Sequence, residues 1–211
     1  MRNLLSLSAL MAIVIAVSSC GNNASSDPKA AAEQANDAKL DSNKANADSA
    51  GSNASTPGNG TAIASTEPDV DFAVAAADGG MMEVELGTMA SKKGVSADIK
   101  KLGAMMVKDH SAANNELKAV AKTKNITLPA AMSDKCRKKV QDLTEKTGAD
   151  FDKAYADLMV SDHKDDIDEF KKEANSGKDS VLTAWARKKV PVLEHHLMMA
   201  EQAKKATDKN K

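Results

Sequence analysis

Between residues 70 and 207 the apolar side chains return every three or four positions and nowhere alternate with polar ones. A period near 3.6 marks helices that bury one face, and it leaves no segment for a half-buried strand. Breaks divide the pattern. Gly94 follows a first segment at about 70–92, and Ser96 is placed to cap a second that runs to about 124. Pro129 closes that one. A short helix then holds Cys136, Val140 and Leu143 ahead of Gly148, a third long helix covers about 149–175, and a fourth follows Gly177. This pattern predicts an all-α fold: an antiparallel four-helix bundle with a short extra helix between the second and third long helices. Each helix alone would be marginal in water, and the shared apolar seam stabilises them together. Pro191 stands inside the last helix, where it is expected to kink it or to begin its second half.

The N-terminal third reads differently. After Met1 and Arg2, residues 4–17 form an apolar run, shorter than the ~20 residues of a membrane span. It fits the core of an export signal covering 1–19. The run ends Val17-Ser18-Ser19-Cys20, which resembles the bacterial lipobox, whose cysteine is lipidated and becomes the new N-terminus. Gly21 follows. The resemblance implies a lipid anchor at Cys20 in an outer membrane, with the domain facing the periplasm. Cys136 then has no partner in the chain, and Lys135, Arg137 and Lys138 are placed to lower its pKa somewhat. Residues 20–68 are small and polar, with Leu40 and Ile63 the only larger apolar side chains. Such a segment buries too little to offset its chain entropy and is expected to be a disordered tether with a reach of roughly 38 Å. The folded domain is set at 69–207, and 208–211 as a frayed tail. Because 29 basic residues face 30 acidic ones and the aromatics make up only 2% of the chain, nothing supplies the charge or stacking platform that nucleic acid needs.

The chain has 4 histidines, and three of them, His110, His163 and His196, fall on apolar lines of the second, third and fourth long helices. Glu83 falls on the line of the first. His195 lies about 100° around the helix from His196 and is expected on the flank. A buried carboxylate needs a partner, and histidines opposite it would supply one, directly or through a metal. Counted from the turns at 1.5 Å per residue, the four depths spread over about 12 Å, which allows one interior site or two stacked ones. A repeat accompanies the histidines: Met106-Val107-Lys108-Asp109-His110 returns as Met159-Val160-Ser161-Asp162-His163. Asp109 and Asp162 either orient an imidazole on a neighbouring helix or face solvent. Met106, Met159 and Met199 share the histidine faces as soft ligands that would favour Cu(I), or simply as core filler.

Residues 72 to about 203 resemble the bacterial envelope family catalogued as domain of unknown function 4142. The matching pieces are Glu83-Val84-Glu85-Leu86-Gly87, Met106 to His110, Phe151-Asp152-Lys153-Ala154-Tyr155 with Met159 to His163, and Val190-Pro191 with His196-Leu197. The resemblance implies a ferritin-like bundle and an exported location, and no established activity. Val107, Val160 and Leu193 stand three residues before the histidines, where ferritin-like di-iron enzymes carry glutamates. The pattern therefore argues against a di-iron enzyme. Three imidazoles and one carboxylate suit a single Cu, Zn or Fe ion. Two readings stay open: a metal-binding module with Glu83, His110, His163 and His196 as ligands, or a structural or stress-related interaction module whose Glu/His cluster is a buried polar network.

Overall fold

The computed structural model describes residues 27–49 and 65–209. The export signal at 1–19, Cys20, the tether at 21–26 and 50–64, and residues 210 and 211 lie outside the described residues. Six helices and no strand occur among the described residues: α1 (Pro28–Ser49), α2 (Glu67–Lys93), α3 (Ala97–Lys124), α4 (Asp134–Thr144), α5 (Gly148–Ser176) and α6 (Ser180–Lys209). The fold is all-α. Two long hairpins, α2–α3 and α5–α6, pack so that α3 meets α6 and α2 meets α5. The short α4 bridges the hairpins, contacting α2 and α5.

Local chemistry explains the boundaries. Ser96 caps α3, its hydroxyl accepting from the Ile99 amide at 3.2 Å, and Asn125 ends that helix in the left-handed region at φ 57°. Ser133 caps α4 in the same way through the Cys136 amide. Helix α6 is continuous through Pro191 and extends to Lys209, so Pro191 does not begin a new helix and residues 208 and 209 belong to α6.

Buried aspartates tie the elements together. Asp69, in the first turn of α2, accepts from the Lys178 amide in the α5–α6 turn at 2.7 Å. Asp152, in the first turns of α5, accepts from the Val95 and Ser96 amides in the α2–α3 turn at 2.9 and 2.7 Å. Each hairpin thus grips the turn of the other. Asp78 of α2 receives the Ser133 amide and hydroxyl at 2.7 and 2.6 Å and fixes the start of α4. Within the first hairpin the backbones nearly touch. A Cβ on Gly87 would sit 2.7 Å from the Gly103 carbonyl, and one on Gly103 would sit 2.6 Å from that of Gly87. That contact fixes the register of α2 on α3 and sets Glu83 opposite His110.

Part of the expected tether is structured. Residues 28–49 form α1, which docks against α2 and the loop after α3. Asn36, fully buried, donates to the Thr127 carbonyl at 2.9 Å and accepts from the Thr127 amide at 2.7 Å. Lys39 donates to the Asn125 carbonyl at 2.8 Å. The expectation of a disordered span fails here because α1 is held by hydrogen bonds to the loop after α3, with Ala32 buried and Leu40 packed against the core, and not by a continuous apolar stripe. A composition argument counts only apolar surface.

The interior has three layers. One apolar layer gathers Met82, Leu86, Ile99, Leu102, Met106, Phe151, Tyr155 and Met159. The other gathers Val70, Phe72, Leu117, Ile167, Phe170, Leu182 and Trp185, with Phe72 and Phe170 edge to face at 4.9 Å. Along every long helix the residue between these layers is polar and buried: Glu83, His110, His163 or His196.

Candidate metal centre

The four residues meet in one place. The ring centroids of His110, His163 and His196 form a near-equilateral triangle with sides of 5.5, 5.1 and 5.3 Å. One nitrogen from each ring lies within 4.8 Å of the others. Glu83 joins them, its Oε2 2.7 Å from His110 Nδ1 and its Oε1 3.5 Å from His163 Nε2. One interior cluster is present, and the alternative of two stacked sites does not hold for these residues.

Hydrogen bonds set the tautomers. His163 Nδ1 lies 3.1 Å from the Met159 carbonyl, which can only accept, so Nδ1 carries the proton. His196 Nε2 lies 3.0 Å from Asp109 Oδ2 and donates to that carboxylate. The remaining nitrogens, His163 Nε2 and His196 Nδ1, are then both lone-pair sites, and they face each other at 3.3 Å. Two lone pairs at that distance call for a positive centre between them, either a shared proton or a metal ion. A tetrahedral ion with bonds of ~2.0–2.1 Å would hold two nitrogens about 3.3–3.4 Å apart. Glu83 Oε1 is buried without a hydrogen-bond partner, so the cluster has coordinating capacity that the protein itself does not use.

Burial governs the charges. It pushes His110 and His196 down to about 4 and His163 well below its ordinary value, so the imidazoles are neutral and their lone pairs available. It drives the Glu83 carboxyl well above its ordinary value, with the charge of Asp162 adding to the effect.

One member of the cluster is absent from the sequence expectations. Asp166, one turn beyond His163 on α5, brings a carboxylate oxygen within 4.8 Å of ligand atoms of Glu83 and His163. Burial, and next the charge of Glu83, raises its carboxyl well above the ordinary range. Its position three residues after His163 was the available signal, hidden in the charged run Lys164-Asp165-Asp166.

The two repeated aspartates part company. Asp109 orients the imidazole of a neighbouring helix, the first of the two expected roles. Asp162 instead pairs with Lys139 of α4 at 2.7 Å, so it does not support a histidine. Met106 and Met159 are fully buried in the apolar layer and Met199 packs against it, which accounts for them as packing. His195 is exposed. The Cys136 thiol lies 3.2 Å from Asp78, and burial pushes it up to about 11, opposite to the lowering expected from the neighbouring cations Lys135, Arg137 and Lys138, which are exposed.

No curated protein and no solved structure matches the chain. A family model matches residues 54–203, which takes in α2 to α5, most of α6 and every residue of the cluster. The chain therefore belongs to the family described as Domain of unknown function (DUF4142).

Proposed function

We propose that this chain is a metal-binding module of the cell envelope, holding one Cu, Zn or Fe ion at His110, His163 and His196, with Glu83 supplying negative charge. The observation that carries the reading is the pair of lone-pair nitrogens, His163 Nε2 and His196 Nδ1, facing each other at 3.3 Å. Three neutral imidazoles and a carboxylate suit a borderline ion, and the Asp109 contact to His196 is the outer support such ligands commonly have. The packing role of the methionines removes the argument that singled out Cu(I). Asp166 adds a second carboxylate, still short of the four carboxylates of di-iron bundles, so the module binds rather than oxidises.

Anchoring belongs to the same proposal. With Cys20 lipidated in an outer membrane facing the periplasm, only residues 21–27 would precede the docked α1. Seven residues span at most ~25 Å, so the domain would ride close to the bilayer rather than on a long leash. No helix among the described residues is long and apolar enough to cross a membrane.

Elemental analysis of protein purified without chelator tests the reading. About one ion per chain is expected, lost in His110→Ala and in His163→Ala. The second reading, a buried polar network, is favoured by the 2.7 Å contact between Glu83 and His110. It predicts no bound ion and a stability loss in the same variants from buried groups left unpaired.

A further inference from the structure

A cavity of about 180 Å³ adjoins the cluster. Ala76, Gly79 and Ala113 leave the space, Phe170, Trp185 and Leu193 wall it, and Glu83, His110, His196 and Asp166 close its inner end. Ala112 and Val192, both exposed, stand at its mouth on the seam between α3 and α6. A Cβ on Gly79 would meet nothing within 4 Å. Gly79 lies one turn from Glu83 on the same face of α2, so the emptiness is that of the cavity.

The outer nitrogens of the histidines point to what fills it. His163 Nδ1 is held by the Met159 carbonyl and His196 Nε2 by Asp109. His110 Nε2 is buried with no partner, and His110 lines the cavity. Glu83, Asp109 and Asp166 line the cavity, and its lysine, Lys189, is paired with Glu116 at 2.8 Å, so the lining disfavours an anion, and the aromatic walls favour a ring. A dry cavity of ~150 Å³ accepts benzene, so this one has room for a ring with a small substituent.

We infer that the cavity is a binding site for a neutral monocyclic aromatic alcohol or phenol, whose oxygen pairs with His110 Nε2 while its ring lies against Phe170 and Trp185. A hydroxyl both donates and accepts, so it matches either tautomer of His110. The site goes beyond the metal proposal and does not require an ion.

Calorimetric titration of the full chain, freed of ions by chelator, with p-cresol and with toluene tests it. Toluene has the same ring without the oxygen. Saturable p-cresol binding at least fivefold tighter than toluene is expected, weakened at least tenfold in Gly79→Leu and in Ala113→Leu, which fill the space from α2 and α3. Absence of p-cresol binding, equal affinity for the two probes, or unchanged binding in whichever variant folds would overturn it. Metal content measured on the same preparations keeps the two proposals apart: p-cresol binding in a chain that takes up no ion sinks the metal reading alone, and the reverse sinks this one.

Discussion

The hairpins α2–α3 and α5–α6 are built to one plan and finished differently. Each opens with a buried aspartate, Asp69 or Asp152, that grips the turn of the other hairpin. Fourteen residues after each aspartate comes a carboxylate of the central cluster, Glu83 or Asp166. Three residues before that carboxylate stands Gly80 in α2 and His163 in α5. In the second hairpin an imidazole stands at this position, whereas in the first Gly80 yields its place to the Asn114 side chain and the cavity opens beside Gly79. The repeated pentapeptide shows the same divergence, with Asp109 serving the cluster and Asp162 serving α4. Equivalent backbone positions therefore do not imply equivalent work; the neighbouring helix decides.

The largest expected contrast lies between the imidazoles. His163→Ala removes a side chain sealed on all sides and costs about 3 kcal/mol. His110→Ala opens onto space already present and costs about half as much, roughly 1.5 kcal/mol. Urea denaturation of the metal-free variants measures both, and equal losses would break the contrast between a filled and an open hairpin. The aspartates come next. Asp109→Asn weakens metal affinity by about 10–100-fold by releasing His196, while Asp162→Asn leaves it unchanged. Competition against a chromogenic chelator reads this, and a matching loss in both variants would restore the equivalence that the repeat suggests.

A pH dependence sharpens the comparison of carboxylates. His110 and His196 take up protons near 4 in the fold against 6.5 unfolded. Their contribution to stability is complete above about 6.5 and is lost as pH falls towards 4. Glu83, raised by burial, acts with the opposite sign and weakens the fold as pH rises past 4.5. In Glu83→Gln the opposing effect is gone, so stability of the metal-free chain falls more steeply between pH 6.5 and 4.5 than in the parent. A slope no steeper than the parent's contradicts this. The smallest effect is the pair between Asp162 and Lys139: Asp162→Asn lowers stability by about 1 kcal/mol or less, because the lysine is partly exposed.

Much of this was legible in the chain. Glycines, prolines and capping serines bounded α2 to α6 within a few residues, because a helix end must satisfy its free amides and carbonyls with particular side chains. Glu83, His110, His163 and His196 announced themselves as polar residues on apolar lines. Asp166 did not, since its neighbours are charged and its burial depends on where α2 lies. Helix α1 was illegible because its stability comes from contacts with Thr127 and Asn125, residues about ninety positions away, and no local pattern encodes a partner at that range.

The contact of Gly87 with Gly103 reaches beyond register. Two rods touching backbone to backbone cannot slide past one another by less than a full step without collision, so the gap spanned by Glu83 and His110 is a fixed calliper. On the proposed metal reading, such a calliper would favour ions of one radius, and that preference would reside in two residues that carry no side chain at all.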